Sequence, residues 1–393
     1  MLDFTFHMPT RIIFGAGRLA ELGRTRLPGR KALVVVSAGG SMRRTGHLDK
    51  VLALLGQNGC ATVIFDKIQP NPVLTHVDEG AALARAEGCD FVLGLGGGST
   101  IDSAKSIALA AANPGSYWDY IQSGTGGRKR PELPALPVVA IPTTAGTGTE
   151  ADPWTVITRE DTNEKIGWGD DSTYPALSIV DPMLMVSVPP ALTAMTGMDA
   201  FFHAAEAYLS TARQPSSDLL ALEAVSLISQ FLPQAVQDGS SVQVRTMLAW
   251  ASTAAGLCES LSSCISHHSL EHALSAHHPA LPHGAGLVML SLPYFEVMAR
   301  FQPKRCADLA VTMGEDIEGM ELREQGLALV TALRKLIAAV GLDGLKMSDY
   351  GVTREEIPAL ACNARETMGG LFAVTPVDLR EDAVIAIFEK AYR

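Results

Sequence analysis

Two helical spacings and one loop corner collect the donors of a divalent-metal site: Asp199-x-x-x-His203, His268-x-x-x-His272 and Pro282-His283-Gly284. Residues four apart on a helix project from one face, one turn from each other, so each pair presents its two side chains together. A carboxylate and imidazoles buried singly in apolar surroundings are costly, whereas one cation satisfies them jointly. One carboxylate with three imidazoles suits Fe2+ and Zn2+ alike. Such an ion would polarise an alcohol or carbonyl oxygen as a Lewis acid and would not carry electrons itself. His272, one turn beyond His268, could instead transfer a proton or contact the substrate.

A second signal lies upstream. Gly94-x-Gly96-Gly97-Gly98-Ser99 ends an apolar run and opens a helix, and its glycines let backbone amides approach a pyrophosphate at the positive end of the helix dipole. Ser99 and Asp102 read as a Ser-x-x-Asp capping pair for that helix. The stretch from Pro142 to Glu150, with Thr143, Thr144, Thr147 and Thr149, brings hydroxyls and amides to the same sheet edge. Two such loops favour a nucleotide. The first strand ends in Ser37-Ala38-Gly39-Gly40-Ser41-Met42-Arg43-Arg44, with no acid near that end to accept ribose hydroxyls. Gly39 leaves room, Ser41 can donate a hydrogen bond, and Arg43 or Arg44 can pair with a 2'-phosphate, which favours NADP(H) over NAD(H). Metal and nicotinamide together point to hydride transfer.

These groups need a scaffold. Residues 31–37, 61–66, 90–95 and 137–141 read as short β-branched or apolar strands, with helical patterns at 45–57, 74–87 and 99–112 between them. Strand, helix, strand at this spacing implies a parallel sheet covered on both faces. Residues 154–158 and 176–180 look like further strands, and 113–136 is a long irregular connection. Beyond about residue 183 the pattern turns helical, at 192–210, 217–232, 243–257, 322–340 and 380–392. The expected architecture is an α/β Rossmann-like nucleotide domain over 1–183 and an all-helical metal domain over 184–393, with the site in the cleft between.

Composition excludes other classes. With 31 basic against 42 acidic residues and a net charge of -11, no basic run could follow a row of phosphates, so nucleic acid is not an expected partner. No uninterrupted apolar stretch of membrane length occurs, and the amino terminus lacks an export pattern. The six cysteines form no Cys-x-x-Cys pair, which fits a reduced, cytoplasmic protein, and Cys258 and Cys264 near the histidines read as ordinary buried thiols.

Taken together, Ile12-Ile13-Phe14-Gly15, Pro70-Asn71-Pro72, Gly96-Gly97-Gly98-Ser99 with Asp102 and Lys105, Pro142-Thr143-Thr144, Asp181-Pro182, Gly197-Met198-Asp199 with His203, and Pro282-His283-Gly284 resemble the iron-containing (group III) alcohol dehydrogenase family over nearly the full length. The resemblance implies a dehydroquinate synthase-like architecture. It implies metal ligation by Asp199, His203, His268 and His283, with His272 as the further active-site histidine. It implies cofactor contacts at Asn71, Gly97, Gly98, Ser99, Asp102, Thr143, Thr144, Lys165 and Leu192, and it favours NADP(H), because members with a glycine-rich first strand end tend to use it. One departure is visible: the stretch from His272 to His283 is one residue longer than the usual pattern and contains His277 and His278.

The function expected is therefore metal-dependent hydride transfer between NAD(P)H and a primary alcohol or aldehyde, in a homodimer paired through an edge strand near the amino terminus. Trp154, Phe201 and residues near His277 are the expected pocket walls. The alternatives are a dehydroquinate synthase-like lyase and a metallohydrolase; the first needs a more basic pocket than 266–283 offers, and the second leaves the nucleotide loops unexplained.

Overall fold

The central strands of the first half show no polar alternation because both faces of their sheet are covered. In the computed structural model, which describes residues 3–393, this half forms β1 (Arg11–Phe14), β2 (Lys31–Ser37), α1 (Ser41–Arg44), α2 (His47–Gln57), β3 (Ala61–Ile68), α3 (Leu74–Ala86), β4 (Phe91–Gly96) and α4 (Gly98–Ala112). It continues with β5 (Val138–Pro142), β6 (Thr155–Arg159), β7 (Glu164–Trp168) and β8 (Leu177–Val180). Met1 and Leu2, part of the amino-terminal stretch read above for an export pattern, lie outside the described residues. Six strands pair in parallel in the order β1-β8-β5-β4-β2-β3. Neighbouring residues enter opposite cores: Leu33, Val35 and Val92 pack on one face, and Ala32, Val34 and Leu93 on the other.

From β2 the chain runs to β3 on one side, then returns to β4 on the other side of β2. The carboxyl ends of β2 and β4 therefore border a topological switch point, where a crevice opens in sheets of this kind. Gly39–Ser41 and Gly96–Ser99 leave the sheet at those two ends.

Three strands differ from expectation. Residues 154–158 do not join the main sheet; β6 pairs antiparallel with β7 in a separate hairpin. The β7 strand escapes a pattern reading because Glu164 and Lys165, which periodicity treats as solvent-facing, are both buried. Nor does β1 stand out, having only four residues, and it forms one edge of the sheet.

The second half is helical: α5 (Pro190–Leu209), α6 (Pro215–Gln237), α7 (Val242–Ser262), α8 (Ser266–His277), α9 (His283–Phe301), α10 (Pro303–Thr312), α11 (Leu322–Ala339), α12 (Ile357–Thr367), α13 (Gly369–Ala373) and α14 (Glu381–Ala391). They share one core, in which Phe201, Phe202 and Phe295 are fully buried. Phe201 lies edge-on to Phe202 within that core, so it is packing rather than the pocket wall expected from its position. By length and apolar composition α6 could cross a membrane; here its Ala221, Ala224, Val225, Ile228 and Leu232 join the helical core against α5 and α7.

Candidate metal and nucleotide site

Three helices bring the donors together. Asp199 and His203 sit on α5, His268 and His272 on α8, and His283 is the first residue of α9. The α9 start can approach α5 because residue 284 is glycine: a Cβ there would stand 2.2 Å from the Met195 carbonyl oxygen. Asp199 Oδ1 then lies 3.6 Å from His203 Nδ1, 3.7 Å from His268 Nε2 and 3.3 Å from His283 Nε2. Two ligands about 2.1 Å from one ion at tetrahedral angles stand about 3.4 Å apart. Asp199, His268 and His283 offer ligand atoms that all lie within 4.8 Å of one another, while His203 faces Asp199 and groups with Cys264 and His268. Among the described residues Asp199 Oδ1, His203 Nδ1 and His268 Nε2 are buried without a hydrogen-bond partner, a cost that a divalent ion removes.

The electrostatics match. Burial would raise the Asp199 carboxyl, but the facing His203 and His283 hold it well below the usual carboxylate range. Burial lowers His268, yet Glu206 and Asp199 outweigh it and push the ring up to about 10, so the position draws positive charge. His272 goes the other way: burial and nearby Lys165 keep its imidazole well below its ordinary value, and its Nδ1 has no partner among the described residues.

Several members of the site escaped the sequence reading. Glu206 Oε1 accepts from His268 Nδ1 at 2.7 Å and faces His267 Nδ1 at 2.8 Å, and the two rings hold its carboxyl at about 2 against the upward push of burial. The signal was available: seven residues after Asp199 and three after His203, Glu206 falls on the same face of α5. Glu271 receives the other nitrogen of a candidate ligand, His283 Nδ1, and lies 3.3 Å from Lys165 Nζ. Glu259 Oε2 stands 3.6 Å from His203 Nε2, and the buried thiol of Cys264, expected near the histidines as an ordinary buried side chain, lies within ligand distance of His203 and His268. The longer stretch before His283 is absorbed away from the donors: His277 Nδ1 bonds the Ala273 carbonyl at 3.0 Å, and His278 Nε2 lies 3.3 Å from Glu356.

On the nucleotide side the two loops meet. Thr143 N donates to Gly96 O at 2.9 Å, and Cβ atoms at positions 97 and 98 would stand 3.1 Å from Thr144 Oγ1 and 2.3 Å from Thr147 Cγ2, so glycine is what permits the approach. Ser99 and Asp102 do not cap the helix. The α4 helix begins at Gly98 with Gly97 as its unassisted cap. Asp102 instead turns inward, accepting from Thr149 Oγ1 at 2.7 Å and Val156 N at 3.0 Å, donors that the threonine-rich loop and β6 bring to it. Asn71 and Lys165 reach across to the helical half: Asn71 Nδ2 bonds Pro279 O and Leu281 O at 3.0 and 3.2 Å, while Lys165 Nζ bonds Ser275 Oγ at 2.8 Å and Asn71 Oδ1 at 3.2 Å. Leu192 is exposed on the first turn of α5, and Gly39 is exposed at the end of β2. One expectation fails at this end. An acid is present, supplied by the neighbouring strand: Asp66 of β3 lies 3.2 Å from Arg43, while Arg44 bonds the Gly39 carbonyl.

Residues 9–182 match the family model described as iron-containing alcohol dehydrogenase, and 193–392 match the carboxy-terminal model of the Fe-containing alcohol dehydrogenase family. The chain is 35% identical to 1,3-propanediol dehydrogenase of Klebsiella pneumoniae over 99% of both chains. It is also 35% identical to NAD-dependent methanol dehydrogenase of Bacillus methanolicus, over 92% of this chain and 93% of that one. A solved archaeal halo-thermophilic alcohol dehydrogenase from a Red Sea brine pool superposes with a TM-score of 0.95 at 34% identity, covering 100% of this chain and 99% of that one. With both halves matched and relatives at 34% identity or more over nearly the whole length, the chain belongs to the iron-containing alcohol dehydrogenase family and is accordingly an oxidoreductase.

Proposed function

We propose that the protein interconverts a small primary alcohol and its aldehyde with a nicotinamide cofactor, using one Fe2+ or Zn2+ held by Asp199, His203, His268 and His283. The observation that carries this reading is the convergence of Asp199 Oδ1 with the ring nitrogens of His203, His268 and His283. We take residues 1–183 as the nucleotide unit and 184–393 as the metal unit. When bound, the metal supplies Lewis-acid polarisation of the substrate oxygen, and the reduced cofactor supplies the hydride. Gly97, Gly98, Ser99, Thr143 and Thr144 line the crevice edge and hold the cofactor's phosphates through amides and hydroxyls. Asn71, Asp102, Lys165 and Leu192 complete the cofactor wall. His272, kept neutral by burial, is the group that carries the proton. Relatives whose names specify 1,3-propanediol and methanol support a small primary alcohol as substrate. The oxidoreductase assignment sets aside the lyase and hydrolase alternatives. We further propose a cytoplasmic homodimer that pairs along the outer edge of β1.

Stripping the protein of metal and restoring Fe2+ or Zn2+ stepwise, with reduced-nicotinamide absorbance followed over a panel of short aldehydes, tests the reading. Turnover should vanish on stripping and return with one of the two ions. Undiminished turnover by rigorously metal-free protein would end it.

For the cofactor we propose a preference for NADP(H). Gly39 and Ser41 leave space at the end of β2, and a 2'-phosphate would draw Arg43 away from an exposed pairing with Asp66 that contributes little by itself. Arg43→Ala is expected to lower kcat/KM for NADPH by about tenfold, equivalent to about 1.4 kcal/mol, and to leave NADH nearly unaffected. Equal losses with both cofactors would remove Arg43 from phosphate recognition.

A further inference from the structure

Glu271 occupies a position that its chemistry does not explain as ordinary helix surface. Its side chain is fully buried, one residue before His272. One carboxylate oxygen, Oε2, receives His283 Nδ1 and stands 3.3 Å from Lys165 Nζ; the other, Oε1, has no partner among the described residues. The neighbouring helix is shaped around it: a Cβ at Gly286 on α9 would stand 2.8 Å from Glu271 Cγ. Burying a carboxylate this completely is unfavourable unless it serves partners. Lys165 alone could explain the charge, but it does not explain why the same oxygen meets the outer nitrogen of a ring whose inner nitrogen faces Asp199. The same construction recurs at His268, where Nε2 faces Asp199 and Nδ1 is held by the equally buried Glu206.

Resting on the metal reading above, we propose that Glu271 is a positioning residue: through His283 Nδ1 it fixes the tautomer and plane of that imidazole so that Nε2 is presented to the cation. A carboxylate behind a ligating imidazole orients the ring and raises its basicity, and loss of such a partner typically weakens metal binding 10–100-fold. Lys165, arriving from β7 in the nucleotide half, neutralises the same carboxylate and ties the two halves together at this point.

The test uses the full chain, stripped of metal and titrated with Co2+ alone, without cofactor, reading affinity and the visible ligand-field spectrum. Glu271→Gln keeps an acceptor for His283 but not the charge, and its Co2+ affinity should fall about tenfold. The deciding variant is Lys165→Met/Glu271→Leu, which removes the buried pair as a unit and leaves no stranded charge. If Glu271 positions His283, this double variant recovers the thermal stability of the metal-free wild type, yet binds Co2+ 10–100-fold more weakly with an altered spectrum. Wild-type affinity and spectrum in the double variant would reduce Glu271 to a counter-ion for Lys165 and overturn the proposal. Failure of the wild type itself to bind Co2+ would overturn the metal reading instead, so the two failures are distinguishable.

Discussion

Replacing His283 with alanine should empty the metal site and abolish turnover together, with kcat/KM falling at least a thousandfold, equivalent to about 4 kcal/mol of lost transition-state stabilisation. In the proposed site His283 supplies one of the three ring nitrogens that face Asp199 Oδ1, and its ring is held on both sides, by Asp199 at Nε2 and by Glu271 at Nδ1. Without it Asp199, His203 and His268 remain, a set that leaves the ion open on the side facing α9. The loss also leaves Glu271 with Lys165 alone, its carboxyl being kept below its usual range, against the upward push of burial, by His283 first and Lys165 second. Metal content by atomic emission and turnover measured on the same preparation decide the matter. Full metal with full activity would refute the ligand assignment, and retained metal with lost activity would move His283 from ligation to substrate contact.

The second large effect concerns stability. Lys105 on α4 is fully buried, and its ammonium reaches Thr149 Oγ1 at 2.7 Å, Asp152 O at 2.8 Å, Trp154 O at 2.9 Å and Asp152 Oδ1 at 3.1 Å. One cation thus organises the chain between the threonine-rich loop and β6. Lys105→Met should cost about 3–5 kcal/mol, the usual consequence of removing one partner from a buried ion pair and stranding the other. Burial already pushes the Asp152 carboxyl up to about 7 with Lys105 beside it, and the Asp102 carboxyl is raised as well. A folded-state value above the unfolded one means that the folded chain binds the extra proton. Stability is then highest below the unfolded value and falls as pH rises through the folded one. The deficit of Lys105→Met should therefore widen between pH 5 and pH 8, and adding Asp152→Asn should restore part of it at the higher pH. Denaturant midpoints at both pH values provide the measurement. A deficit under about 1 kcal/mol at pH 8 would show that the loop holds itself.

Much of this site is legible in the chain because its determinants are local. Asp199 with His203 and His268 with His272 obey the helical repeat, so their types and spacing alone place donors on common faces. Gly97 and Gly98 record a close approach whose partner, the loop from Thr143 to Thr147, follows a strand that is itself readable as an apolar run. The central strands β2, β4 and β5 were legible for the same reason: a strand buried on both faces is written as a continuous apolar segment.

What the local pattern does not carry is the fate of charged side chains whose partners are remote. Lys165 and Glu271 are 106 residues apart, and each would be read as solvent-facing until the fold buries them against one another. That is why β7 and Glu271 both went unread. Asp66 reaches Arg43 only because β3 lies beside β2, so the acid missing from one strand end is supplied by its neighbour. Asp102 and Phe201 make the complementary point: Asp102 is read as a helix-capping partner and Phe201 as a pocket wall, and each meets instead partners that only the folded chain provides. The sequence by itself determined the donor types, their helical spacing and the glycine loops, because helix period and backbone freedom are properties of adjacent residues. Tertiary structure decided which charges are paired, buried or left to orient a ligand, because that depends on desolvation and on groups brought together from distant parts of the chain.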